Sequence, residues 1–427
     1  MSRESVGRGF EPGSRLHIVR RWFACRGRRE APRTMTTTTE RKLTADAYAI
    51  GGQCDKCAGC AAKALGRQRY SPQTDRRSDR CAHRCRIFRL FKPRRFGGYP
   101  ADVRTVLQVT ETLAEPDGSA TWVVGIASAG AWATNRGSDQ LQEEIFGADP
   151  DARIAGSGMS CPARHEQGGL RLNGRWGYAS GSPHATWAAL AATVTDDSGQ
   201  PPDAYFCLVP TAQLRLEDTW RTVGMRGTGS NTYVAEDVFV PGHRVIPATK
   251  LSEGSTGSDE PVHRLPFASV ATLALVGTLL GLGHAALVID KAPSKSMHHT
   301  FFARQSDSVG VQVQVAEAAL KLQTAQLHAY RVADDLDSAA GNGQDLDYGV
   351  RARVRAQFGY LAQQVLDATH ILVNVHGAAA FAETSLMHQY WRDANTAARH
   401  AGLNAVVGYE VFGKELLGVP EHISPMV

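Results

Sequence analysis

The repeat of apolar positions along this 427-residue chain changes period twice, and each change marks a new kind of element. Between 102 and 114, Val103, Val106, Leu107 and Val109 onward recur at helical spacing, which predicts an amphipathic helix. Asp117-Gly-Ser-Ala-Thr-Trp122 opens a second helix with Asp117 as its N-cap, and 140–146 predicts a short third. Phe91-Lys-Pro-Arg-Arg-Phe-Gly-Gly-Tyr99 reads as a loop. From 153 to 248 short β-rich runs alternate with Gly, Pro and Asp turns, as in Thr232-Tyr-Val-Ala-Glu-Asp-Val-Phe-Val-Pro241. A polar stretch at 252–259 then links to four helical runs at 266–290, 309–340, 350–381 and 384–401, with Gly341-Asn-Gly343 between the middle pair. The predicted class is α+β. Its parts are an atypical segment at 1–87, an N-terminal helical domain at 88–150, a middle β domain at 151–250, a linker at 251–264 and a C-terminal helical bundle at 265–427.

At 43% hydrophobic residues the chain can bury a large core. Its net charge of +5 misleads, because residues 1–95 hold 24 Lys and Arg against 8 Asp and Glu. The remainder carries 23 basic against 34 acidic residues, so the balance gives no support for nucleic-acid binding. Cysteine is divided in the same way. Cys25, Cys54, Cys57, Cys60, Cys81 and Cys85 lie early, and the body holds only Cys161 and Cys207, which fits a reducing cytoplasm. Residues 1–34 lack the continuous apolar stretch of a secretory signal. The apolar run at 265–289 is long enough to span a bilayer, but it contains Gly277, Gly281, Gly283 and His284 and reads equally as a buried bundle helix. No membrane association is expected.

Two readings compete for the early segment. Cys54, Cys57, Cys60, Cys81, His83 and Cys85 have spacings that can hold zinc or an iron–sulfur cluster. Alternatively, 1–34 is untranslated leader before an ordinary start at Met35, and 50–86 is out-of-frame translation. The second is preferred, because ordinary patterning returns abruptly at Phe88. The expectation is a poorly ordered segment and no metal site.

The densest chemistry lies in Arg175-Trp-Gly-Tyr-Ala-Ser-Gly181, which follows the alternating Gly169-Leu-Arg-Leu-Asn-Gly174 and precedes a strand-like run at 184–194. A hydroxyl and aromatic rings are held there among small residues between two strands, which suits a planar cofactor lying on backbone. Arg226-Gly-Thr-Gly-Ser230 offers backbone N–H groups and two hydroxyls. Ser157-Gly-Met-Ser160 is a further candidate loop. No Gly-x-Gly-x-x-Gly follows a strand in a βαβ setting, so no nicotinamide-binding unit is visible.

Together with Phe88-Arg-Leu-Phe91, Arg95-Phe-Gly-Gly-Tyr99, Asp117-Gly-Ser-Ala120, Gly224-Met-Arg-Gly-Thr-Gly-Ser230, Glu236-Asp-Val-Phe-Val-Pro241, His376-Gly-Ala378 and Trp391-Arg-Asp-x5-Arg-His400, the order and spacing are similar to group D flavin-dependent monooxygenases. These are the oxygenase halves of two-component systems, on the acyl-CoA dehydrogenase scaffold. The resemblance runs from Phe88 to Leu417. It implies helices, then a small β domain, then a four-helix bundle, and a homotetramer. It also implies reduced FMN or FAD supplied by a separate NAD(P)H:flavin reductase, with O2 and a small phenolic or polyketide-type substrate hydroxylated through a C4a-hydroperoxyflavin. Ser180 is placed at flavin N5, with Trp176 and Tyr178 beside the ring. Arg226, Gly227, Thr228 and Ser230 are placed at its pyrimidine edge, and His376 and Gly377 at its phosphate. His400, expected on a helix four residues before Asn404, faces the substrate as proton acceptor, with Asn404 on the same side.

Two alternatives stand beside this reading. An acyl-CoA dehydrogenase needs a catalytic carboxylate, and after Trp391-Arg-Asp393 none follows in place; Glu383 and Glu410 are the remaining candidates. A remnant inactivated by its N-terminal region is the other. Lys291, Lys295, His298 and His299 are read as a solvated face, and His165 and His184 receive no role.

Overall fold

The computed structural model describes residues 87–195, 203–252, 260–290, 302–420 and 427. The early cysteines, His83, Lys291, Lys295, His298 and His299 lie outside these residues. So do both readings of the early segment and the remnant alternative that rests on it.

Two aspartates start the first helices. Asp102 accepts the Thr105 backbone N–H at 2.7 Å and Asp117 that of Ala120 at 3.0 Å, which satisfies donors that a helix start leaves unpaired. They open α1 (Val103–Ala114) and α2 (Gly118–Thr134). α1 buries one face, whereas α2 is buried nearly all round because it lies between the sheet and the bundle. α3 (Asp139–Gln142) runs into a π turn at Glu143–Gly147.

The alternating runs become β1 (Ile154–Glu166), β2 (Gly169–Ala179), β3 (Trp187–Val194), β4 (Asp203–Pro210), β5 (Arg215–Glu217), β6 (Asn231–Pro241) and β7 (Val245–Pro247). They form one sheet in the order β5-β6-β2-β1-β3-β4-β7, with β1 and β3 parallel and the other neighbours antiparallel. Leu170, Leu172 and Trp176 of β2, Leu190 of β3, and Tyr233 and Val240 of β6 fill a separate small core.

After α4 (Thr249–Ser252) come α5 (Phe267–Asp290), α6 (Val309–Asn342), α7 (Tyr348–His376), α8 (Leu386–Ala397) and α9 (Ala405–Leu417). The segment Phe267–Val288 is the one described helix apolar and long enough to cross a membrane, and 83% of its most apolar window is buried inside the molecule. It is the bundle's central helix. A Cβ at Gly281 would stand 2.2 Å from the Glu111 carbonyl oxygen, and one at Gly277 2.0 Å from Thr110 Oγ1, so α1 and α5 touch backbone to backbone. Glu111 then ties three helices together: it accepts from Gln326 at 2.8 Å and Tyr330 at 2.6 Å, and pairs with His284 at 3.0 Å.

Two helix ends and one further helix differ from expectation. α7 stops at His376 because Gly377 takes φ 71° and donates back to the carbonyls of Val373 and Asn374; residues 377–381 are a 3-10 turn. α8 stops at Ala397, three residues before His400. α9 was not anticipated, since its apolar residues Val406, Leu416 and Leu417 face outward and do not mark a buried stripe.

Candidate active site

Strand alternation alone would send Tyr178 to the same side as Trp176. Tyr178 instead adopts φ 58°, between Trp176 and Ala179, where the register against β6 shifts. That left-handed residue is costly for a non-glycine side chain and marks a locally constrained backbone. It throws Tyr178 outward, 69% exposed, and turns Ser180 inward, 7% exposed. Tyr178 meets Trp220 edge to face at 6.1 Å, and the exposed Met159 lies beside Gly177 in the β1 bulge between Ser157 and Cys161. Trp176 is a correction: it is fully buried in the β-domain core with its indole N–H on the Ala191 carbonyl, 2.7 Å away, so it supports the site from behind and faces no ring.

Ser180 Oγ lies 2.7 Å from Ser230 Oγ, which lies 2.7 Å from Thr228 Oγ1. The loop carrying them is held on α8: Asp393 Oδ1 accepts the Met225 N–H at 2.6 Å. Met225 itself has φ 53°, and a Cβ at Gly224 would strike the Arg392 carbonyl oxygen at 2.2 Å. Burial pushes the Asp393 carboxyl up to about 7.

Trp122 of α2 joins the two residues on which the chemistry was expected to rest. Its indole N–H donates to Ser180 Oγ at 3.3 Å, and its ring meets the His400 ring edge to face at 5.5 Å. His400 is not on a helix. It ends the turn after α8 and caps the 3-10 turn Ala401–Leu403, accepting the Gly402 N–H on Nδ1 at 3.2 Å. The residue as a whole is exposed to solvent. Burial, with the Arg355 charge added, lowers its pKa to about 4. The imidazole is therefore neutral near pH 7, and with Nδ1 taken as an acceptor its proton sits on Nε2. Arg355 also pins this turn, donating to the carbonyls of Ala401 at 2.5 Å and Asn404 at 3.2 Å.

Of the other expected residues, Thr228 and Ser230 are gathered at Ser180, whereas Arg226 points out as an exposed side chain on a 3-10 turn and Gly227 is half-buried beside it. Asn404 is exposed and N-caps α9, accepting from Val407 N–H at 3.2 Å, so helix capping is what occupies it. His376 and Gly377 end α7, with Gly377 exposed and no described atom within 4 Å of where its Cβ would be. Glu383 and Glu410 are exposed, and the nearest buried carboxylates, Asp117 and Asp393, are committed to backbone N–H groups. Trp122, Asp393 and Arg355 are the residues that sequence reasoning passed over. Asp393 stood inside a quoted motif, but nothing in one dimension pairs it with Met225.

These residues fit a flavin. Two residues from the buried Ser180 hydroxyl, the exposed Tyr178 packs on Trp220, an apolar surface of the kind a planar ring covers. On the same helix as Asp393, Trp391 Nε1 and Arg392 Nε are buried with no hydrogen-bond partner among the described residues, which suits the oxygen-rich edge or phosphate of such a group.

Residues 274–405 match the family model "Acyl-CoA dehydrogenase, C-terminal domain". The chain is 31% identical over 343 residues to the oxygenase subunit HsaA of a flavin-dependent monooxygenase from Rhodococcus jostii (strain RHA1), covering 78% of this chain and 89% of that protein. It is 29% identical to the oxygenase component of an FADH(2)-dependent resorcinol hydroxylase from Rhizobium sp. (strain MTP-10005), covering 78% and 85%. Among solved structures it resembles XiaF from Streptomyces sp. in complex with FADH2 and glycerol, with a TM-score of 0.85 and 33% identity, covering 90% and 98%. With this likeness running through the β domain and the bundle alike, the chain belongs to the oxygenase components of flavin-dependent monooxygenases on the acyl-CoA dehydrogenase fold.

Proposed function

We propose that the protein hydroxylates a phenolic or polyketide-type aromatic small molecule, using reduced FAD or FMN and O2, with the reduced flavin supplied by a separate NAD(P)H:flavin reductase. The observation that carries this is the Ser180–Trp122–His400 line, which brings a buried hydroxyl and a neutral imidazole to one indole. The FADH2 named with XiaF and with the resorcinol hydroxylase supports the choice of reduced flavin.

The flavin, when bound, supplies the activated oxygen. Ser180 would accept the hydrogen of ring nitrogen N5, and Trp122 holds Ser180 in place for it. His400 presents Nε2–H to the substrate oxygen. It thereby stabilises the phenolate-like form by hydrogen bonding, with the phenol proton passing to solvent, in place of the proton-acceptor role expected from sequence. Glu383 and Glu410, the carboxylates named for the dehydrogenase alternative, are both exposed.

We assign the assembly as a homotetramer, supported by the exposed apolar faces of α6 and α9, and the compartment as the cytoplasm, supported by the unpaired thiols Cys161 and Cys207. The deciding experiment supplies purified protein with enzymatically reduced flavin, labelled O2 and a panel of phenols. The expected result is a product carrying one labelled oxygen. Failure of reduced flavin to bind in an anaerobic titration sinks the reading.

A further inference from the structure

The hydroxyls behind Ser180 form a chain with a direction. A carbonyl oxygen only accepts, so the 2.8 Å contact between Thr228 Oγ1 and the Met225 carbonyl must contain the Thr228 proton. The same carbonyl takes the Trp220 indole N–H at 2.9 Å and the Thr228 N–H at 3.2 Å, while Asp393 fixes the Met225 N–H. It is an anchored acceptor. With its proton spent, Thr228 Oγ1 accepts from Ser230, and Ser230 Oγ in turn accepts from Ser180. Ser180 also receives the Trp122 indole N–H. One proton and two lone pairs belong to a hydroxyl. Ser180 is thus left with a single lone pair and nothing to donate. Ser180, Ser230 and Thr228 are buried, at 7%, 4% and 2% exposure, so solvent does not offer alternative partners.

We propose that the Thr228–Ser230 chain commits Ser180 to accept only, and so makes the site select reduced flavin, whose N5 bears hydrogen, over oxidised flavin, whose N5 is itself an acceptor. Against oxidised flavin two lone pairs would face each other. Relief requires Thr228 to turn its proton away from the Met225 carbonyl, leaving two oxygens 2.8 Å apart with no hydrogen between them. Thr228 and Ser230 are positioning residues in this scheme and touch no reacting atom. It rests on the placement of flavin N5 at Ser180.

The test is a set of anaerobic titrations of oxidised and reduced flavin against the wild type and the variants Thr228→Val, Ser230→Ala, Thr228→Ser and Ser180→Ala. The wild type is expected to prefer the reduced form. Thr228→Val and Ser230→Ala, which let Ser180 donate, should each lower that preference about tenfold. The midpoint potential of the bound flavin should fall by about 30 mV with them. Thr228→Ser, which keeps the hydroxyl, should restore both quantities. Loss of preference in Ser180→Ala with retention in Thr228→Val and Ser230→Ala leaves the flavin placement standing and overturns the relay. Retention in Ser180→Ala overturns the placement itself, and the relay with it.

Discussion

At position 400 the two ring nitrogens face different partners. Nδ1 takes the Gly402 N–H, and Nε2 keeps the proton. A histidine with pKa near 4 stays neutral through the physiological range, so the rate of hydroxylation should show no acid limb near pH 6.5 from this residue. Glutamine at 400 retains an N–H donor but is no base, so His400→Gln should keep more activity than His400→Ala. The alanine variant should lose roughly tenfold to a hundredfold, the worth of a hydrogen bond to a charge-bearing oxygen. Rate–pH profiles of the three proteins check this. An acid limb at 6.5 in the wild type, absent from both variants, restores the proton-acceptor role. Ser180 and His400 were legible as candidates because their motifs are local. The tautomer was not, because it depends on a turn whose geometry is set by where α8 ends.

At the scale of elements, one carboxylate couples the loop at 224–230 to α8. In the folded state Asp393 has a pKa of about 7, above the ordinary value of 3.8. A raised pKa means that the contribution to stability is complete below the unfolded value and is lost as pH rises through the folded one. Asparagine at this position keeps the oxygen that meets Met225 N–H and does not titrate. The melting temperature of Asp393→Asn relative to wild type should therefore climb between about pH 4 and pH 7 and level off above it. A difference that stays constant across that interval removes the carboxyl from the account. The helices α1, α2 and α5 could be read in the sequence because caps and apolar runs are short-range signals. The outward turn at Tyr178 could not, because a positive φ at a tyrosine is imposed by the β2–β6 register and the packing behind it.

For the whole molecule, the outer surface carries its own signal. Val309, Val313, Leu320 and Leu327 line one exposed face of α6, and Val406, Leu416 and Leu417 stand out from α9. Apolar rows of this extent on a water-facing surface support the proposed assembly of several chains. Sedimentation should give an assembly of four chains, and Leu320→Glu combined with Leu327→Glu should shift it to smaller species; a monomeric wild type contradicts the assignment. What the sequence by itself determined is the class, the order of helices, sheet and bundle, and the short motifs, because periodicity and turn chemistry act over a few residues. What only the tertiary structure decided is which motif residues meet. It joins Ser180 to Ser230 and Thr228, their loop through Met225 to Asp393, and Ser180 through Trp122 to His400. It sends Trp176 into the core and Arg226 to the surface. Strand alternation and helix period state which side of an element a residue occupies, but the partner across the gap is set by how sheet and bundle pack.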